Sequence, residues 1–152
     1  MEVARLVLDH PTLRLAMVTD RKIAGTPLAE AYPSLRGITD LVFSLPEPDA
    51  IAKTADVAFL AVPHTASLSL TPQLLARGVT VIDLSADYRL KDAATYEAWY
   101  GVPHTSPSLL AEAVYGLPEL NRDKLTDLAR TRAAGRPVLV AAPGCYPTAT
   151  AL

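Results

Sequence analysis

Three short, mainly apolar runs constrain the fold of this chain most: Val57-Ala58-Phe59-Leu60-Ala61-Val62, Val79-Thr80-Val81-Ile82-Asp83 and Val138-Leu139-Val140-Ala141-Ala142. Each is too short for a typical helix and lacks the alternation of a half-exposed strand. Each therefore reads as a strand buried on both faces. Helical stretches separate them. Ser67 to Arg77 is closed by Gly78, Asp92 to Tyr100 is opened by Asp92, and Arg122 to Ala134 runs from a capping Asn121 to Gly135. Apolar strands alternating with helices predict an α/β fold with a parallel sheet. Upstream, Met1 to Asp9 reads as the back part of an amphipathic helix, with Val3, Leu6 and Val7 on one face and Pro11 as its stop. Leu13 to Val18 reads as a strand, Gly25-Thr26-Pro27 as a turn, Leu28 to Tyr32 as a short helical piece and Leu41-Val42-Phe43 as a second extended run. Val102 to Pro118, with its three prolines, reads as loop.

A length of 152 residues suits one domain with a core of its own. Half the residues are hydrophobic and a fifth are charged, the composition of a soluble globular protein. The formal net charge of −2 argues against nucleic acid or an anionic membrane as the main partner. No apolar run approaches the roughly 20 residues of a membrane helix. The start, Met1-Glu2-Val3-Ala4-Arg5, lacks the basic-then-apolar layout of a signal peptide. A single cysteine cannot form an internal disulfide, so a cytoplasmic setting is the default expectation. Three scattered histidines and no second cysteine leave no visible metal site.

In parallel α/β sheets, ligands bind beyond the C-terminal ends of the strands. Those ends carry Thr19-Asp20-Arg21, Pro63-His64, Asp83-Leu84-Ser85 and Pro143-Gly144-Cys145. The last is the most reactive. Gly144 permits a sharp turn, and Pro147 suits the first turn of a following helix. A helix N-terminus favours an anion, and a thiol placed there ionises more easily and becomes a nucleophile. A small buried thiol is the competing reading of a lone cysteine. Arg89, just past a strand end, has a fork that matches a carboxylate or phosphate, with a surface salt bridge as the alternative. His10 and His104 read as structural or exposed, and Tyr96, Trp99 and Tyr100, at helical spacing, as packing.

The stretch Ala142-Pro143-Gly144-Cys145-Tyr146-Pro147-Thr148-Ala149-Thr150 resembles the active-site signature of the N-acetyl-gamma-glutamyl-phosphate reductase family. Three further stretches resemble the same family in order and spacing. They are Ala24-Gly25-Thr26-Pro27-Leu28 with Tyr32 to Gly37, then Asp83-Leu84-Ser85-Ala86-Asp87-Tyr88-Arg89-Leu90, and Trp99-Tyr100-Gly101 through Tyr115 to Asn121. The related aspartate-semialdehyde dehydrogenases match these words less well. The resemblance implies a Rossmann-like NADP-binding domain and a reductase that turns an acyl phosphate into an aldehyde in arginine biosynthesis. It implies Cys145 as the nucleophile. The thiolate attacks the acyl carbon and expels phosphate, and NADPH reduces the resulting thioester to N-acetylglutamate semialdehyde. Backbone N–H groups at the helix start are expected to stabilise the oxyanion, and Arg89 to hold the substrate.

For the cofactor, the resemblance implies contacts from Thr19, Arg21, His64, Ser85 and Gly144. A cation at Arg21, beside Lys22, suits the 2′-phosphate of NADP, whereas Asp20 departs from the family pattern and suits the free 2′-hydroxyl of NAD. NADPH is the expectation. His64 fits either the nicotinamide side or a loop cap, and Ser85 either a cofactor contact or a turn cap. The expected glycine-rich pyrophosphate loop and first strand do not occur in residues 1–152, nor does a C-terminal substrate and dimerisation domain with an acid/base histidine. The chain is thus expected to be a partial Rossmann-like NAD(P)-binding domain over 1–152, part of a longer homo-oligomeric reductase with a small-molecule substrate and inactive by itself. The alternatives are a reductase of aspartyl or aminoadipyl phosphate, and a non-catalytic Rossmann-like relic.

Overall fold

Two compact units make up the chain, one running to Ala55 and the other spanning Asp56–Leu152. A computed structural model describes residues 2–152.

The first unit is built on little strand. Helix α1 (Glu2–Leu8) has Glu2 in its first turn, paired with Arg5 at 2.9 Å. Val7 is buried, but Leu6 is 57% exposed, contrary to the apolar face expected of it. The inward face runs instead through Val7 and Leu8, and Leu8 packs on the unit's core. Strand β1 is only Val18–Thr19, not Leu13 to Val18. The reason is local competition: His10 Nδ1 accepts the N–H groups of Thr12 at 3.2 Å and Leu13 at 3.1 Å, folding that segment into a turn and leaving Leu13 exposed. Helix α2 (Leu28–Ala31) and a 3-10 turn at Pro33–Leu35 follow the turn at Gly25, and β2 (Phe43–Ser44) pairs in parallel with β1. Leu28, Leu35 and Phe43 form the core, against which Leu15, Val18, Ile23 and Tyr32 pack. Helix α3 (Pro48–Thr54), opened by a proline that fits a first turn, closes the unit.

The second unit is a parallel sheet with helical crossovers. In chain order it runs β3 (Val57–Leu60), α4 (Ala66–Leu75), β4 (Thr80–Asp83), α5 (Ala93–Tyr100), α6 (Pro107–Glu112), β5 (Val114–Tyr115), α7 (Pro118–Ala133), β6 (Leu139–Ala141) and α8 (Cys145–Ala151). The spatial order is β3-β4-β6-β5, with every pairing parallel. The three apolar runs are therefore its strands, as expected, but β3, at the sheet's edge, is half-buried at Val57, Ala58 and Phe59 rather than buried on both faces. Leu74, Val79 and Val81 are almost fully buried, each contributing about 1.5–3 kcal/mol of transfer free energy.

One expectation about the connections needs correction. Val102 to Pro118 is not all loop, because it contains α6 and β5. The helix expected from Arg122 is present: α7 joins two helical pieces across a kink at Asn121, whose φ of −129° and ψ of 26° are non-helical, so the longer piece begins just after Asn121 as expected. Leu117 and Pro118 start the short piece before the kink, proline fitting its first position.

The register sets the position of everything functional. Leu60 pairs with Asp83, Asp83 with Ala141, and Ala141 with Tyr115. The four strands end on one row, so the loops that follow them leave along a single edge. The ladder extends slightly beyond it, through Leu84 N to Leu60 O at 2.9 Å and Ala142 N to Asp83 O at 2.8 Å.

Candidate active site

Three of these loops are joined by side chains along that edge. The first, residues 61–65, follows β3; the second, 84–89, follows β4; the third, 142–144, leads from β6 into α8. Cys145 is the first residue of α8, with Gly144 at the cap, so the expected strand, turn and helix start are all present. The thiol is free and exposed, which sets aside a buried thiol. The first bond across the helix start is Thr148 N to Gly144 O at 3.1 Å, reinforced by the Thr148 hydroxyl on the same carbonyl at 2.8 Å. Pro147 removes one of the amide donors otherwise unclaimed at a helix start.

Arg89 lies across the gap between the second and third loops. Its Nε donates to Ala142 O at 2.8 Å and its Nη2 to Leu84 O at 2.7 Å. The guanidinium is half-buried and donates to two carbonyls, an anchored position unlike that of a surface salt bridge. A Cβ built on Gly144 would lie 3.1 Å from Nη1, so the guanidinium rests against the residue immediately before Cys145. Glycine is what allows this close approach. Nη1 is the part of the fork that lies against Gly144, and a guanidinium fork matches the geometry of a carboxylate or phosphate.

Buried polar groups organise the second loop. Asp83, fully buried at the end of β4, accepts Ser85 N at 3.0 Å and the Ser85 hydroxyl at 2.8 Å. Burial pushes its carboxyl above the usual carboxylate range, against the lowering effect of these hydrogen bonds. The Ser85 hydroxyl in turn accepts Asp87 N at 3.1 Å. Its side chain thus acts as a turn cap within the loop. Asp87 Oδ1 accepts Thr65 N at 3.0 Å and the Tyr96 hydroxyl at 2.9 Å. Burial raises the Tyr96 phenol, which keeps that hydroxyl a donor. His64 is exposed, and its Nδ1 accepts Ala86 N at 3.4 Å, joining the first loop to the second. His104 is buried, as a structural histidine should be: Nε2 donates to Asp87 O at 2.9 Å and Nδ1 accepts Ser106 N at 3.1 Å. Its ring meets Tyr88 and Tyr96 edge-on, with centroids 5.2 and 5.0 Å apart.

Of the three aromatics read as packing, Tyr96 is fully buried and Tyr100 stacks on it at 4.8 Å, one helical turn along. Trp99 departs from that expectation: at 79% exposure it lies off the packed face. The bonds of Asp83, Asp87, Tyr96 and His104 were missed in the sequence. The available signal was two aspartates in an otherwise apolar strand-end segment, since acids seldom sit there unless hydrogen-bonded.

The second unit therefore brings together His64, Ser85, Arg89, Gly144 and Cys145. Thr19 and Arg21 belong to the first unit. Thr19 is half-buried in β1, and Arg21 and Lys22 are exposed immediately after it. Asp20 Oδ1 accepts Lys22 N at 2.7 Å and Ile23 N at 3.4 Å. That carboxylate oxygen caps its own loop.

Among the described residues, no helix is long and apolar enough to cross a membrane. The family described as semialdehyde dehydrogenase, NAD binding domain, matches residues 1–128. Curated relatives match over the whole length. An N-acetyl-gamma-glutamyl-phosphate reductase of Nitrosococcus oceani is 47% identical over 152 residues, covering 100% of this chain and 42% of that protein. One of Pseudomonas putida is 50% identical over 153 residues, with the same coverage, and one of Dehalococcoides mccartyi is 47% identical over 152 residues, covering 40% of that protein. The chain thus spans about two fifths of the length of the curated relatives it matches. Among solved structures, the crystal structure of aspartate semialdehyde dehydrogenase with NADP from Candida albicans aligns with a TM-score of 0.59 at 14% identity, over 90% of this chain and 37% of that one. At that identity the likeness concerns the fold, which is Rossmann-like.

Proposed function

Because the chain belongs to the semialdehyde dehydrogenase family through its NAD-binding domain, we propose that it carries the nucleophile of an N-acetyl-gamma-glutamyl-phosphate reductase. The polypeptide containing it reduces N-acetyl-gamma-glutamyl phosphate to N-acetylglutamate 5-semialdehyde, with release of phosphate, in arginine biosynthesis. The observation that carries this reading is the half-buried Arg89 guanidinium lying against Gly144, next to an exposed thiol at Cys145. A cation beside a thiol suits attack on an anionic acyl donor. The relatives' names support this choice of acyl group.

The residues divide the work as follows. Arg89, anchored at two carbonyls, uses its remaining donors to hold the substrate's anionic end. The Cys145 thiolate forms a bond to the acyl carbon as the carbon–oxygen bond to phosphate breaks, and the electron pair leaves with phosphate. A nicotinamide cofactor, when bound, supplies the hydride that takes the thioester to the aldehyde level. Return of the electron pair to sulfur then frees the aldehyde and restores the thiolate.

The residues after β1 fit NADP. Arg21 and Lys22 offer exposed cations for a 2′-phosphate, while Asp20 is bonded to its own loop. Within the second unit, His64 and Gly144 are the residues assigned to the cofactor, while the Ser85 side chain is taken up as a turn cap. A steady-state assay of the full-length protein with NADPH and N-acetyl-gamma-glutamyl phosphate tests the reading. The parent should turn over, and Cys145→Ser should lose on the order of a thousandfold or more in kcat. A serine variant with parental kcat, or a parent acting only on another acyl phosphate, contradicts it.

A further inference from the structure

Among the described residues, Thr65 is the one non-glycine residue with a positive φ, 71°. It precedes α4 but makes no side-chain cap bond to it, so its own helix does not hold it there. A β-branched residue in this region is strained and persists only where its surroundings impose it. Two hydrogen bonds bracket it: Ala66 N donates to Pro63 O at 3.2 Å, closing a turn over Thr65, and Thr65 N itself donates to Asp87 Oδ1 at 3.0 Å, the one side-chain anchor of that turn. Asp87 is fully buried, and its Oδ2 has no hydrogen-bond partner among the described residues. Such a group is costly to keep for packing alone.

We propose that Asp87 is a positioning residue for the active-site edge: through Oδ1 it locks Thr65 in the left-handed conformation and so fixes the His64 loop against the loop that carries Arg89. Two contacts make the junction reciprocal, because Ala86 N donates back to His64 Nδ1 at 3.4 Å. Two residues further on, Arg89 continues the connection to Ala142, next to the Gly144–Cys145 turn. Asp87 is itself held from behind by the Tyr96 hydroxyl on the same oxygen and by His104 Nε2 on its carbonyl. Asp87 thus acts through Thr65 and Arg89 rather than on a reacting atom.

The proposal rests on the reductase reading above for what the edge does. The test therefore uses the full-length protein and separates the two. Parent turnover bears on the reductase reading; the variants and one amide bear on Asp87. Asp87→Ala should lower kcat/KM for the acyl phosphate at least about tenfold, since small misplacements of positioned groups are costly. Asp87→Asn, whose amide oxygen accepts the same two hydrogen bonds, should stay within about threefold of the parent. Adding Thr65→Gly to Asp87→Ala should recover at least about threefold, because glycine adopts this φ without the lock. A merely structural aspartate would give no such local rescue.

Amide hydrogen exchange at Thr65 decides the matter even where Asp87→Ala does not fold or turnover is absent. The parent amide should be protected although the residue is exposed. Overturning results are an unprotected Thr65 amide in the parent, an Asp87→Ala enzyme within twofold of the parent, an Asn variant as impaired as the Ala variant, or no recovery from Thr65→Gly.

Discussion

At the scale of residues, the buried histidine gives the clearest solution signature. Burial holds the His104 imidazole below its usual 6.5, the more so because its ring is packed between two tyrosines. The unfolded chain therefore binds more protons than the folded one between 6.5 and that lowered value, and stability falls as pH drops through this window. Denaturant titrations of parent and His104→Gln at a series of pH values should show that slope in the parent and a flatter one in the variant. Equal slopes would mean that His104 does not titrate with folding. Asp83, raised by burial, works in the opposite sense above 3.8, but its contribution is common to both proteins and cancels in the comparison. Cys145 was legible because turn, helix start and reactive atom coincide in one contiguous word. Arg89 was legible only as a cation near a strand end; its anchors, Ala142 and Leu84, include a residue 53 positions away. The same limit applied to Ser85 and Asp20. Each has a side chain that can either bind a ligand or cap a turn, and only the hydrogen bonds tell which.

At the scale of elements, the sheet leaves no room for a side chain where β5 ends. Gly116 N donates to Ala141 O at 2.8 Å, and a Cβ at Gly116 would lie 2.7 Å from Val140 Cγ1. Gly116→Ala must displace a β-branched side chain in the neighbouring strand, and should destabilise the fold by about 1–3 kcal/mol. Chemical denaturation of parent and variant measures this, and an unchanged midpoint would show that β6 yields freely. The three short apolar runs could be read as strands because their apolar signal is nearly continuous, even in β3, whose Val57, Ala58 and Phe59 are only half-buried. β5 and α6 could not. A two-residue strand has no periodicity, and Val114 and Tyr115 are strand only because β6 supplies partners from Val140 and Ala141. β1 failed in the opposite way. Leu13 to Val18 has a strand's composition, but His10 captures the first amides and β2 offers only two partners. Lys91 adds a tertiary brace of the same hidden kind, its ammonium donating to the carbonyls of Leu110 at 2.9 Å and of Ala113 at the end of α6.

At the scale of the whole molecule, the chain contributes two separable capacities. The first unit presents the cations expected to choose between nicotinamide cofactors. The second aligns four strand ends and sets an anchored guanidinium against Gly144, the residue before an exposed thiol. The chemistry ascribed to Cys145 is the central claim, and its first half requires no reductant. Full-length protein mixed with N-acetyl-gamma-glutamyl phosphate in the absence of NADPH should release a rapid burst approaching one phosphate per chain, as the thioester forms. Cys145→Ser, prepared identically and folded, should give no burst. A parent that releases no phosphate ahead of the slow background hydrolysis, or a serine variant with an equal burst, would contradict the assignment of Cys145 as the acyl acceptor.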